Sequence, residues 1–207
     1  MSRRLYLVLG HPVRESFCGA LADAYEQGAR EHGAEVRRLN LAEATFSPIQ
    51  LGYNRPPQAL EPDLQRAQED LVWAEHVTFV WPLWWSSFPA LFKGYLDRVM
   101  LPGFAFKYLE SKPWFEKLLT GRTGRTLVTM DIPPFIYRWL LGAPAHRIIE
   151  KGVLDFCGIA PAERTLFGPV RQATPAQRTA WLAEARNLGV RDATRPHRPR
   201  YAAPVKG

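Results

Sequence analysis

Two short stretches carry side chains suited to chemistry on a bound molecule. The first is His11-Pro12-Val13-Arg14-Glu15-Ser16-Phe17-Cys18, which lies between an apolar run and a helical period. A helix start offers unpaired N–H groups and a positive dipole end, so this loop is a candidate phosphate cradle. Ser16 suits an N-cap or a donor to phosphate, and His11 and Arg14 add positive charge. An ordinary capped helix with an exposed histidine would use the same residues. The second stretch is Trp81-Pro82-Leu83-Trp84-Trp85-Ser86-Ser87-Phe88-Pro89. Indoles at the end of a strand are costly to leave wet unless they cover something flat, and a planar, electron-poor ring such as a flavin fits that need. A hydrophobic cluster or a dimer patch would also explain them. No G-x-G-x-x-G follows the first strand candidate, and G-x-x-x-x-G-K-[ST] occurs nowhere. Cys18 and Cys157 form no disulfide framework and lack metal-ligand spacing.

These stretches need a frame. Arg4 to Gly10 reads as a strand, Phe17 to His32 as a helix stopped by Gly33, and Glu35 to Leu41 as a second strand. A long connection over 42–62 contains Ser47-Pro48, Pro56-Pro57 and Pro62. A helix over Asp63–Ala74 precedes the apolar strand Val77–Trp81, and Pro89–Arg98 reads as a short helix with proline in its first turn. Residues 99–124 show little regular pattern. Thr126–Met130 is a fourth strand, Asp131–Pro144 is irregular, Ala145–Phe156 a helix, Arg164–Phe167 a fifth strand and Thr174–Leu188 a last helix. This alternation predicts an α/β fold: a doubly wound, parallel, five-stranded sheet in the flavodoxin-like order 2-1-3-4-5, with helices on both faces. Ligands of such sheets bind at the carboxyl ends of the strands, where the loops after strands one, three and four converge. One domain over 1–190 and a basic, proline-containing tail over 191–207 are expected.

Composition narrows the classes. The 207 residues are 46% hydrophobic and 23% charged, which suits a globular chain. The longest stretch without Asp, Glu, Lys or Arg, His76 to Phe92, is broken by Pro82 and Pro89 and is too short to span a bilayer. The strand-like run at Leu5 leaves no room for a signal peptide, so a cytoplasmic location is expected. The net charge is +7, and more than half of it sits in residues 191–207, on Arg191, Arg195, Arg198, Arg200 and Lys206 against Asp192. That tail lacks the interleaved aromatics of a nucleic-acid reader, so no nucleic acid is expected as a partner.

The segment Pro82-Leu83-Trp84-Trp85-Ser86-Ser87-Phe88-Pro89-Ala90-Leu91-Phe92-Lys93-Gly94-Tyr95-Leu96-Asp97-Arg98-Val99, followed by Pro102-Gly103-Phe104-Ala105-Phe106, resembles the NAD(P)H:quinone oxidoreductase family of flavodoxin-like flavoproteins. His11 with Ser16-Phe17, and Phe156-Cys157-Gly158, agree with that resemblance, which spans about residues 4–190. The resemblance implies FAD or FMN as cofactor and NADH or NADPH as hydride donor. It implies a ping-pong, two-electron reduction of quinones or similar planar acceptors. It places His11, Ser16, Phe17 and Cys18 at the flavin phosphates and adjoining ribityl or adenosine part. Pro82, Leu83, Trp84 and Trp85 would wall the isoalloxazine, with Trp85 against its ring, and Asp97 would reach the adenosine end of an FAD. Phe106, Tyr108 and Phe156 would line a substrate pocket shared across a homodimer. The segment after the fourth strand departs from the mammalian pattern; Tyr137 and His146 are the nearest equivalents of a tyrosine and a histidine that stabilise reduced flavin, and Asp131 and Arg138 are candidates for the flavin edge or the nicotinamide nucleotide. Two other roles stand as alternatives. One is a flavodoxin-type electron carrier; the other is a regulatory flavoprotein subunit, peripheral to a membrane potassium-efflux system and not inserted in the bilayer.

Overall fold

In a computed structural model, which describes residues 2–52, 58–109 and 114–196, the central sheet is built from five parallel strands: β1 (Arg4–Leu9), β2 (Glu35–Asn40), β3 (His76–Pro82), β6 (Thr123–Thr129) and β7 (Ala162–Phe167). Their spatial order is β2-β1-β3-β6-β7, which is the expected 2-1-3-4-5 arrangement with strands renumbered for a small ribbon described below. The registers Leu7↔Thr78, Phe79↔Thr126 and Leu127↔Thr165 bring the carboxyl ends of β1, β3 and β6 level with one another. Every residue of β3 is buried, as suits a central strand covered on both faces.

Alternation along the strands divides the core into two layers. Tyr6, Val8, Phe79 and Trp81 face α2 (Pro62–Trp73) and α3 (Ala90–Val99), while Leu5, Leu7, Leu9, Val80 and Leu127 face α1 (Phe17–Glu31) and α5 (Pro175–Thr194). Ser16 caps α1 by accepting from the Gly19 amide at 3.1 Å, and Thr174 caps α5 by accepting from Gln177 at 3.2 Å. Helices α1 and α5 touch backbone to backbone. A Cβ on Gly189 would lie 2.0 Å from the Tyr25 carbonyl oxygen, and one on Gly28 would lie 2.1 Å from that of Arg186.

The last helix runs past Leu188 to Thr194, beyond the predicted domain boundary at 190, because its final turn carries a buried anchor. Asp192 is wholly buried and accepts from Arg125 Nη2 at 2.8 Å and from the Tyr25 hydroxyl at 2.8 Å. It also pairs with Arg125 Nε and lies 3.1 Å from His76 Nε2. Residues 197–207, with Arg198, Arg200 and Lys206, and the pair Pro56-Pro57 lie outside the described residues.

Two stretches read as irregular have structure. Within 99–124, β4 (Phe106–Tyr108) and β5 (Phe115–Lys117) form an antiparallel ribbon. Three-residue strands are too short for periodicity to reveal. Within 131–144, Ile136–Leu140 winds as a π-helical turn that ends at Gly142 and Ala143, both with positive φ (+69° and +48°). The helix expected over 145–156 starts as α4 (Pro144–Arg147) and widens into a π-helical stretch, Ile148–Asp155. Among the described residues no helix is long and apolar enough to cross a membrane.

Candidate functional site

The carboxyl ends of β1, β3 and β6 are tied together by contacts between their loops. The Gly10 amide donates to Val80 O at 2.7 Å, and the Leu83 amide donates to Thr129 O at 2.7 Å. The His11 ring meets Trp84 edge-on, with centroids 5.6 Å apart. The Cys18 thiol lies 3.1 Å from the Thr129 hydroxyl. Thus the histidine loop, the tryptophan loop and the start of α1 share one end of the sheet.

The loop 11–16 folds tightly over the first turn of α1: a Cβ on Gly19 would meet the Arg14 carbonyl oxygen at 2.1 Å. His11 Nδ1 lies within hydrogen-bonding distance of both Val13 N and Val13 O (2.9 and 2.8 Å), which fixes the turn, and partial burial lowers the pKa of the ring. Arg14 is held by Asp23 at 2.7 Å. Ser16 takes the Gly19 amide, so the first-turn amides of Phe17 and Cys18 are the ones left for an anion. The Phe17 ring lies among α5 side chains, 6.0 Å from Trp181 and under Arg178. Cys18 is buried. Its side chain lies against Thr129, and burial pushes the thiol up to about 12, so what it offers a ligand is its backbone amide and not its sulfur.

The three tryptophans separate by position. Trp81 is fully buried at the end of β3, packed edge-on to Phe88 (5.6 Å) and against Phe92. Trp84 is 44% exposed and Trp85 100% exposed. Pro82 closes the strand, and Trp84 and Ser87 bond reciprocally (3.0 and 2.9 Å), closing a two-residue turn in which Trp85 and Ser86 hold φ of +51° and +57°. Turns with two positive φ values favour Asn-Gly, and Trp-Ser here bears strain of about 1–2 kcal/mol per residue. The strain holds an indole in solvent and leaves the Trp85 and Ser86 amides at the turn tip. In the single chain these indoles form one open wall and not a closed slot.

The structure brings some of the remaining candidates together and leaves others apart. Phe106, Tyr108 and Phe156 lie together: Phe106 is 5.3 Å from Tyr108 and 4.9 Å from Phe156. The ribbon adds two aromatics that periodicity did not single out, Phe115 stacked on Phe156 at 4.0 Å and Trp114 stacked on Phe115. Asp97 lies near the far end of α3, with both carboxylate oxygens 2.6 Å from Lys93 Nζ. Asp131 is exposed at the end of β6 and accepts from the Arg171 amide at 2.8 Å. Arg138 lies over the Trp139 ring beside a cleft of about 490 Å³, lined by Phe135, Arg164 and Glu184 among others.

Tyr137 and His146 meet each other, with the hydroxyl 2.9 Å from Nδ1, but neither ring has any exposed surface. The reading of both as groups that touch a ligand is therefore corrected: packing against Trp81, 5.5 Å from His146, places the pair inside the core. Burial and the nearby Arg164 lower His146 to about 4, so the imidazole is neutral at neutral pH, and burial raises Tyr137. Two further site residues emerge only from the fold. Thr129 ties the Cys18 thiol to the tryptophan loop, and Glu150 lies near enough to Tyr137 to raise its pKa. A lone Thr at a strand end and an i, i+4 His–Glu spacing are the faint signals for them in sequence. Among the described residues no group of three or more His, Cys, Asp or Glu side chains could hold a metal ion.

The chain is similar to known proteins along most of its length. A family described as having a flavodoxin-like fold matches residues 3–188. A Haemophilus influenzae protein named an uncharacterized NAD(P)H oxidoreductase is 31% identical over 85% of this chain and 89% of its own length. Rat NAD(P)H dehydrogenase [quinone] 1 is 26% identical over 87% of this chain and 74% of its own. The solved structure of an FMN-dependent NADH-azoreductase from Bacillus anthracis, in complex with FMN, superposes with a TM-score of 0.72 at 16% identity, covering 93% of this chain and all of that one.

Proposed function

The chain belongs to the flavodoxin-like fold family, and on that premise we propose that it is a flavin-dependent NAD(P)H oxidoreductase that reduces quinones or similar planar acceptors by two electrons. The relatives named as NAD(P)H oxidoreductase and quinone dehydrogenase support this reading. The observation that carries it is Trp85, held wholly in solvent by a strained turn at the sheet end where α1 begins. An exposed indole on a positive-φ backbone is an arrangement that folding alone does not favour and that a flat ligand repays.

The residues present fit a flavin nucleotide. The Phe17 and Cys18 amides at the start of α1 would hold its phosphate, with His11 beside them. Trp84 and Trp85 would cover its ring, and the amides at the turn tip would meet a polar edge. A bound flavin supplies hydride acceptance from NADH or NADPH and hydride donation to the second substrate. The chain's part is to hold, orient and screen. The aromatic group of Phe106, Tyr108 and Phe156 would then line the place where a flat acceptor sits, and Asp131 would border the flavin. FMN needs only these contacts, which accords with the FMN-bound azoreductase; FAD would extend towards Asp97 and compete with Lys93. Trp85, Tyr108 and Trp114 are all more than half exposed, and closing a slot over Trp85 needs a second surface. A homodimer would supply it.

The test is direct. Purified protein incubated with FMN or FAD is expected to turn yellow, to bleach with NADH or NADPH without oxygen, and to recover colour on adding a quinone. Acid release and chromatography would name the flavin. Protein that takes up neither flavin would overturn the reading.

A further inference from the structure

We propose that the cleft along the outer edge of β7 binds a planar aromatic carboxylate, with Arg138 pairing its charge and Trp139 covering its ring. The cleft has a volume of about 490 Å³, within the range of about 300–1,000 Å³ usual for small-molecule sites. Its place follows from its lining. Arg164, Thr165 and Leu166 are consecutive residues of β7, and successive side chains of a strand point to opposite faces, so a cleft that touches all three lies at the edge of the strand. β7 ends the sheet, and among the described residues that edge has no strand partner. The carbonyl oxygens of Pro161 and Phe167 turn inward, to Gly124 N and Met130 N. With a period of two, Arg164 and Leu166 turn their amides and carbonyls outward, to the side of the cleft. The two walls come from opposite faces of the sheet. The turn that buries Tyr137 in the layer of α2 and α3 carries Arg138 and Trp139, and Glu184 comes from α5.

Folding leaves the chemistry of this cleft unspent. Trp139 is 79% exposed and Phe135 65%, so two rings stand in water along a concave wall, each with a face to offer. Among the described residues Arg138 and Glu184 make no ion pair. The Arg138 guanidinium carbon lies 5.5 Å from the centre of the Trp139 ring, a cation–π contact that orients the group and leaves its edge N–H donors available. Arg164 is only loosely held, its Nε 3.5 Å from Glu150 Oε1. Two arginines against one carboxylate, Glu184, give the lining a positive balance, so an anion is favoured. A guanidinium fork meets a carboxylate with two parallel N–H···O bonds, and an indole covers a flat ring. Together they call for a ring that carries its carboxylate close to the ring plane. The outward Leu166 amide adds a donor from the strand. Glu184 repels a second negative charge, which favours a monoanion over a phosphate ester. The site stands on the β7 edge alone and does not rest on the oxidoreductase reading.

The test is calorimetric titration of the flavin-free protein with 2-naphthoate, which is expected to saturate at one molecule per chain. 2-Naphthamide, of the same shape but uncharged, is expected to bind about tenfold more weakly or worse, and Arg138→Gln to weaken naphthoate by a similar factor. Trp139→Ala is expected to weaken it at least about fivefold. Glu184→Gln removes the opposing charge and is expected to tighten it. All three side chains are exposed, so their replacement takes little from the core. Absence of saturable binding, equal affinity for the amide, or an affinity unmoved by Arg138→Gln and Trp139→Ala would overturn the proposal. So would displacement of naphthoate by FMN, which would put it at the Trp85 end of the sheet. Flavin uptake is scored on the same preparation. A protein that binds naphthoate but no flavin keeps this site and loses the proposed function; one that takes up flavin and no naphthoate does the reverse.

Discussion

Replacing Trp85 by glycine separates folding from binding, because its effects on the two have opposite signs. Trp85 is 100% exposed, so its removal takes no buried surface from the core. Its φ of +51° costs an L-residue about 1–2 kcal/mol, a strain that glycine does not feel. Glycine in turn loses about 0.5–1 kcal/mol more on folding through its greater freedom when unfolded. The net expectation is a flavin-free protein between unchanged and about 1.5 kcal/mol more stable, a rise in melting temperature of up to about 6 °C for a chain of this size. Binding moves the other way. Loss of one aromatic face against a planar ring costs about 1–3 kcal/mol by analogy with base stacking, or roughly a 5- to 140-fold weaker flavin Kd. Thermal melts of flavin-free protein and fluorescence titration with FMN and FAD measure the two effects. An unchanged flavin Kd would show that the indole does not cover the ring. A melting temperature lowered by several degrees would show that the turn is not strained as argued.

Other perturbations test the frame. Asp192→Asn leaves the buried Arg125 with Glu163, 3.1 Å away, as its remaining counter-charge and is expected to cost up to about 3 kcal/mol, read as a lower urea midpoint with little change in m. The paired Arg125 holds the Asp192 carboxyl well below the usual range, and burial lowers His76; both groups bind fewer protons folded than unfolded. Stability should therefore fall as pH drops below the ordinary histidine value and fall further through the carboxylate range, and urea midpoints between pH 7 and pH 4 should show it. Cys18 and Cys157, each pushed up to about 12 by burial, should resist a thiol reagent at pH 8 in the native protein and react fully in urea. Gly189→Ala would force α5 off the Tyr25 carbonyl and is expected to destabilise by about 1–3 kcal/mol, measured by the same unfolding curve.

Local pattern determined the order of strands and helices, and hence the sheet. The apolar run over residues 77–81 is buried all round, and the period after Phe17 is helical, because these properties depend on neighbours a few residues away. The two loops that meet at the sheet end were legible for the same reason, each lying between a strand signal and a helix signal. What no local pattern contains is the partner brought from afar. Asp192 looks like one more charge on a basic tail until Arg125, 67 residues earlier, is placed beside it. Cys18 and Thr129 become neighbours only when β6 ends against α1. Of three tryptophans within five residues, two face solvent and one is sealed, and that division follows from Trp81 lying on the buried strand β3 while Trp84 and Trp85 lie beyond it, in a turn closed by Trp84 and Ser87. Tyr137 and His146 are brought into contact, and withdrawn from solvent, by packing against Trp81. Side-chain type set what each residue can do; tertiary contact decided whether it faces water, a ligand or the core, because burial is a property of the assembled layers and not of the segment.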